Sequence, residues 1–246
     1  MKLMVLGNSD TDGSRLERRD DAWPYLIAEQ VREATGQEVE VAHKLLFAGP
    51  TAAGYVQRQL DAEHPDVVVL ATSTYGVVLQ LVSNRVNEKF GPRAARVAAR
   101  AEQLAAEATY RLGPVGSRPL IGLRKLARRL IGTRPALSME GMLESYAECM
   151  SVLARAENVE TIVLSGPGYT MQHAALNPKM LELQAKATVE LKRSAERHHF
   201  AWESHEALMG GVGAKDRYFL ADGVHTGVEA HRVVAEAIGP LVVERV

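Results

Sequence analysis

Asp66-Val67-Val68-Val69-Leu70-Ala71 is the stretch on which the reading of the fold turns. After Pro65-Asp66 come five apolar residues in a row, three of them valine. A half-exposed strand would alternate polar and apolar residues. An unbroken apolar run of this length, rich in β-branched valine, reads as a strand buried on both faces, as in parallel sheets. Upstream, Leu3 to Leu6 is a similar run ending at Gly7, and Val39 to Leu46 reads as a second strand, after which Gly49-Pro50 turns the chain. Downstream, Thr161 to Leu164 stops at Ser165-Gly166-Pro167-Gly168, and Phe200 to Glu203 is the last short strand. Helical spacing fills the gaps. It covers Asp21 to Ala34 with Pro24 in its first turn, Ala52 to Ala62, and Ser138 to Ala156 with Ser138 as N-cap. It returns at Pro178 to His198, capped by Asn177, and at Gly223 to Ile238. Strand and helix alternating five times predict a three-layer α/β/α sandwich around a five-stranded parallel sheet, flavodoxin-like in arrangement. The expected organisation is a single domain over 1–246, with a helical insertion at about 86–135 between the third and fourth strands.

Composition narrows the function. In 246 residues, 29 Lys and Arg stand against 30 Asp and Glu, a net charge of −1. That balance argues against general nucleic-acid binding, which needs clustered cations to meet phosphates. Cys149 is the only cysteine, so an intrachain disulfide and a cysteine metal cluster are excluded. Its place in an amphipathic helix marks it as a packed apolar residue. The apolar run at the N-terminus is too short for a signal peptide, and no stretch reaches the roughly eighteen apolar residues of a membrane span. A cytoplasmic location is expected.

The insertion is unlike the rest. From Arg111 to Arg134 it carries seven cations and no acidic residue. Leu120 to Ile131 puts apolar residues on one helical side and four cations on the other. It reads either as a surface helix with solvated cations or as a lid or anchor facing acyl chains or anionic lipid.

In an open parallel sheet, chemistry gathers at the carboxyl ends of the strands. Gly7-Asn8-Ser9-Asp10-Thr11 follows the first strand and exposes a serine there; its hydroxyl is a nucleophile only if a base removes the proton. Ala221-Asp222-Gly223-Val224-His225 holds a carboxylate and an imidazole three apart, a spacing that lets the carboxylate orient the ring. Each alone has an ordinary structural reading, as a loop serine and as a helix cap.

Taken together, an early Gly-Asn-Ser-Asp and a late Asp-Gly-Val-His on a five-strand α/β chain resemble the SGNH (GDSL-type) hydrolase family over nearly the whole length. The resemblance implies a metal-free, cofactor-free serine esterase, thioesterase or lipase acting on a small-molecule ester. Ser9 would be the nucleophile, His225 the base and Asp222 its carboxylate partner. It implies an oxyanion hole from the Ser9 N–H, the Gly49 N–H and an asparagine side chain after the third strand. The asparagine is missing. Ala71-Thr72-Ser73-Thr74-Tyr75-Gly76 stands there, so Thr74 or Tyr75 takes its place with a hydroxyl. Tyr169 and His173, after the fourth strand, are candidates for lining the substrate cleft. The alternatives are an acyltransferase or an inactive protein of the same fold, or a flavodoxin-like flavin or nucleotide module. Against the last, Asp10, Asp12, Asp20 and Asp21 crowd the loop where phosphate would sit.

Overall fold

The computed structural model describes residues 1–78, 81–116, 118–166, 179–210, 216–220 and 225–246. The chain forms two compact units, one of residues 1–74 with 139–246 and one of residues 75–138.

The first unit is built on five parallel strands: β1 (Lys2–Gly7), β2 (Glu40–Leu45), β3 (Val67–Thr72), β4 (Glu160–Ser165) and β5 (Ala201–Ser204). Their order is β2-β1-β3-β4-β5, with Leu3 opposite Val67 and Val69 opposite Ile162. All six residues of β3 are buried, as its uninterrupted apolar run predicts. The helices are α1 (Trp23–Thr35) and α2 (Ala52–Glu63), then, beyond residues 75–138, α6 (Met139–Leu153), α7 (Met180–Arg197), α8 (His205–Leu208) and α9 (Val228–Val243). Right-handed crossovers dictate which face each long helix covers. The step from β1 to β2 runs one way along the sheet; those from β2 to β3, β3 to β4 and β4 to β5 run the other way. So α1 lies on one face, and α2, α6 and α7 lie on the opposite one. The closing helix α9 returns to the α1 side. There Leu3, Val5, Val67 and Val69 meet Ile27 of α1 and Ile238 of α9 in one continuous core. Strand alternation turns Met4, Leu6, Val68, Leu70 and Val163 to the other face, and all five are fully buried. Cys149 on α6 is buried with them, and burial pushes its thiol up to about 12. This is the expected three-layer α/β/α sandwich.

The second unit is helical: α3 (Tyr75–Val78), α4 (Val82–Gly116) and α5 (Arg118–Ile131). The Glu102 carboxylate accepts the backbone N–H groups of Val82 (2.9 Å) and Ser83 (3.0 Å). Twenty residues of straight helix would span about 30 Å, so α4 must bend sharply between them. The bend falls at Gly91-Pro92, where Gly91 has φ +80°, a left-handed conformation that glycine adopts without strain. The unit is closed by an antiparallel bridge of Leu81 to Arg134 and by the Leu137 N–H donating to the Gly76 carbonyl at 2.9 Å. Among the described residues no helix is long and apolar enough to cross a membrane.

Candidate active site

The sheet order reverses direction at β1, which places a crevice at the carboxyl ends of β1 and β3. The Ser9 turn forms one side of it. Gly7 closes β1, and a Cβ added there would sit 2.5 Å from Thr11 Oγ1. Glycine is required by this close approach, not by a left-handed turn, since Gly7 is absent from the residues with positive φ. Asn8 then organises the turn. Its side-chain oxygen accepts the Asp10 N–H (2.9 Å), and its carbonyl accepts the Thr11 N–H (3.0 Å) and hydroxyl (2.8 Å). Such side-chain-to-backbone bonds fix an Asx turn. Asn8, Asp10 and Thr11 are buried while Ser9, at the corner, is half-buried. Beneath the turn, His43 Nε2 lies 2.6 Å from Thr11 Oγ1. The threonine's one proton already goes to Asn8, so His43 donates Nε2–H. Burial, first among the influences on it, lowers the His43 pKa and favours that neutral ring.

The other side is brought from the far end of the chain. His225 Nε2 lies 3.3 Å from Ser9 Oγ, across 216 positions of sequence. The His225 carbonyl accepts the Leu220 N–H (2.8 Å), and the Gly227 N–H donates to the Tyr218 carbonyl (2.8 Å) around a bridge of Phe219 to Thr226. The helix expected from Gly223 therefore begins only at Val228 and runs to Val243. His225 and Thr226 are held in the bridged segment ahead of it, because their backbone groups pair with neighbouring chain instead of with a helical turn.

The neighbours of the pair are tied to each other. Asp10 Oδ1 accepts both the Thr226 N–H (2.7 Å) and the Thr226 hydroxyl (2.9 Å). Thr226 Oγ1 lies 3.3 Å from His231 Nε2, and the Trp23 N–H donates to His231 Nδ1 at 3.1 Å. Because Nδ1 accepts, the neutral His231 carries its proton on Nε2 and donates it to Thr226, which passes its own to Asp10. Burial lowers the His231 pKa to about 4, against the pull of Asp12 and Asp21. Asp10, Thr226 and His231 are all buried. None of the three was singled out from sequence as part of the site. His231 carried a signal, since Ala230, His231, Val234 and Ile238 share the buried side of α9. Asp10 and Thr226 carried none. His205, at the carboxyl end of β5, is also buried, with its pKa lowered to about 3 by desolvation, and its Nε2 has no hydrogen-bond partner among the described residues.

The remaining predicted residues are distributed unevenly. Asp222, Tyr169 and His173 lie outside the described residues. The Gly49 N–H, expected to face an oxyanion, donates instead to Ser145 Oγ at 2.8 Å, and the same hydroxyl donates back to the Gly49 carbonyl at 3.0 Å. That amide is occupied, for the physical reason that a serine on α6 reaches it first. Thr74 is buried just beyond β3, and Tyr75 begins the second unit.

No protein-family model and no curated protein sequence matches the chain. Solved structures do. TesA is similar over 100 % of both chains, with a TM-score of 0.58 and 16 % identity. A carbohydrate acetylesterase family member from Sinorhizobium meliloti covers 100 % of this chain and 99 % of its own, at TM-score 0.55 and 16 % identity. The inhibitor-bound M. smegmatis aryl esterase shows the same coverage at TM-score 0.56 and 13 % identity. The likeness is one of fold. At these identities, any statement about chemistry must come from the site itself.

Proposed function

We propose that this protein is a serine hydrolase that cleaves carboxylic or thio esters through an acyl-enzyme, and that it is a member of the SGNH type. The observation that carries the reading is the 3.3 Å approach of His225 Nε2 to Ser9 Oγ at the carboxyl edge of a parallel sheet. A hydroxyl within reach of an imidazole is the minimal nucleophile–base pair. The esterases among the structural likenesses, and the early-Ser, late-Asp-x-x-His order, add weight to the choice of ester over other acyl compounds.

In the proposed reaction Ser9 Oγ attacks the acyl carbonyl carbon while His225 Nε2 takes its proton. The tetrahedral intermediate collapses, and His225 returns the proton to the departing alcohol or thiol. Water, deprotonated by the same nitrogen, then attacks the acyl-Ser9 carbonyl; as that intermediate collapses, His225 returns the proton to Ser9 Oγ and the acid is released. Asp222 is assigned as the carboxylate that steadies the imidazolium. The Ser9 N–H and the hydroxyl of Thr74 or Tyr75 are assigned to the oxyanion. Gly49 joins them only if Ser145 lets go of its amide. Asp10 and Thr226 act as positioning residues, since their two hydrogen bonds hold the neighbours of Ser9 and His225 together. Residues 75–138 are read as an insertion between β3 and β4 of a single hydrolase domain.

The test is a panel of short and long p-nitrophenyl esters together with a fluorophosphonate probe. The wild type is expected to turn over at least one ester and to be labelled on Ser9. Ser9→Ala is expected to lose at least about 10³-fold in kcat. Equal turnover in Ser9→Ala, or a label on another peptide, overturns the proposal.

A further inference from the structure

Residues 75–138 hold 12 cations and 3 acids, a net charge of +9, whereas the remaining 182 residues hold 17 cations and 27 acids, a net of −10. The near-neutral total hides this division. Two of the three acids in the helical unit are already engaged. Glu88 pairs with Arg85 and Arg134, and Glu102 accepts the N–H groups that open α4. Little negative charge is left there to answer the cations.

Part of the apolar side of α5 is left uncovered. On α5, Leu123, Leu126 and Leu130 share one helical face and are 62 %, 51 % and 74 % exposed. Arg124 and Arg128, one turn apart, are half-buried instead, and Arg128 is desolvated with Arg124 and Glu102 near it. On α4 beyond its bend, Arg93, Arg96, Val97, Arg100, Ala101 and Leu104 follow helical spacing and line one shallow open groove. Contiguous exposed apolar residues rimmed by charge mark an interaction surface.

We propose that this helical unit docks on an anionic phospholipid surface, with Leu123, Leu126 and Leu130 entering the headgroup–acyl boundary and the surrounding arginines and Lys125 meeting lipid phosphates. The charge demands an anionic partner and the leucines an apolar one; a lipid surface supplies both at once. Nucleic acid supplies phosphates but nothing to cover aliphatic side chains. Its usual stacking platforms are scarce here, with Tyr75, Phe90 and Tyr110 the only aromatic residues in the unit. The same face of a second copy would bring +9 against +9. The proposal does not depend on the esterase reading, because the surface involves no residue assigned to the reaction.

The test is sedimentation of the full chain with vesicles of phosphatidylcholine alone, and of phosphatidylcholine with about one-third phosphatidylglycerol. Binding is expected to the anionic vesicles only, and to weaken at least about tenfold between roughly 0.05 and 0.5 M salt. The neutral triple variant Leu123→Gln, Leu126→Gln, Leu130→Gln keeps helix propensity and is expected to lose at least about tenfold in affinity. Lys125→Glu with Arg129→Glu is expected to lose a similar amount. Ser9→Ala is expected to bind as the wild type does, which separates this surface from the reaction. An unchanged melting profile shows that each variant is folded. Four results overturn the proposal: no sedimentation with anionic vesicles, undiminished binding by the folded leucine variant, tighter binding to single-stranded DNA than to vesicles, or a dimer that the leucine variant abolishes.

Discussion

Polar groups are buried at the carboxyl edge of the sheet, and apolar groups are exposed on the helical unit. Asp10, Thr226 and His231 lie inside, each in a hydrogen bond to the next, while Leu123, Leu126 and Leu130 lie outside. Both regions invert the ordinary partition of side chains, which is the informative departure in a folded protein. They differ in how the inversion is satisfied. The buried polar groups find their partners within the chain, so removing one should damage stability and geometry together. The exposed leucines are each more than half uncovered, so removing them should leave folding alone and change only what the protein touches.

The strongest way to break the first half of that contrast is Asp10→Ala. It leaves the Thr226 N–H and hydroxyl buried without their acceptor, at a cost of about 2–4 kcal/mol in stability. If Asp10 positions the Ser9–His225 pair, kcat on a soluble ester should also fall about 10²-fold with little change in KM, because a near-attack geometry has been loosened. Asp10→Asn retains an acceptor oxygen and should recover most of the stability. Denaturant titration and steady-state kinetics on the three proteins check this. A stable Asp10→Ala with full kcat would show that the link between the two loops is incidental.

Acid should act on the same network from a different direction. The His231 pKa is lowered from its ordinary value of 6.5 to about 4, so between those values the unfolded chain binds more protons than the folded one. Stability from this group is complete above about pH 6.5 and is lost as the pH falls to 4, by about 3 kcal/mol at most. His205, lowered to about 3, extends the same slope further into acid. His231→Gln can accept from Trp23 and donate to Thr226 without titrating. Its unfolding midpoint should therefore fall about half as steeply between pH 6.5 and 4. Identical slopes in the two proteins would remove His231 as the cause.

A smaller effect separates the hydroxyl from the backbone. Thr226→Val keeps the shape and the N–H bond to Asp10, but leaves His231 Nε2–H without its acceptor. A loss of about 1–2 kcal/mol is expected by urea titration, less than for Asp10→Ala.

How much of this is legible in the sequence follows the range of the interactions. Val67 to Ala71 could be read as a buried strand because burial on both faces is written in every residue. The alternation of elements carried the sheet, and with it the edge on which Ser9 would stand. The helix α9 starts five residues later than its sequence pattern predicts, because Thr226 and Gly227 answer to Asp10 and Tyr218, and no local propensity reports that. Asp10 looked like one more carboxylate in a crowded loop, since its partner is 216 positions away. Gly49 kept the right residue type for an oxyanion donor, but its N–H was taken by Ser145, 96 positions on. The apolar stripe of α5 was plain from its spacing. Which side of that helix would be covered was not, because periodicity shows that two faces differ and not which one finds a neighbour.

That last distinction gives the smallest expected effect and the sharpest form of the contrast. A buried leucine such as Leu70 packs on all sides, so Leu70→Ala should cost about 2–5 kcal/mol. Leu123→Gln, Leu126→Gln and Leu130→Gln together remove three leucines, yet each is more than half exposed. Their combined effect on stability in the absence of lipid should stay within about 0.5 kcal/mol, the range of ordinary surface substitutions. A loss of several kcal/mol by urea titration would mean that the stripe is covered within the folded chain in solution. The two inversions would then be one, with apolar and polar residues alike answering to partners supplied by the protein itself.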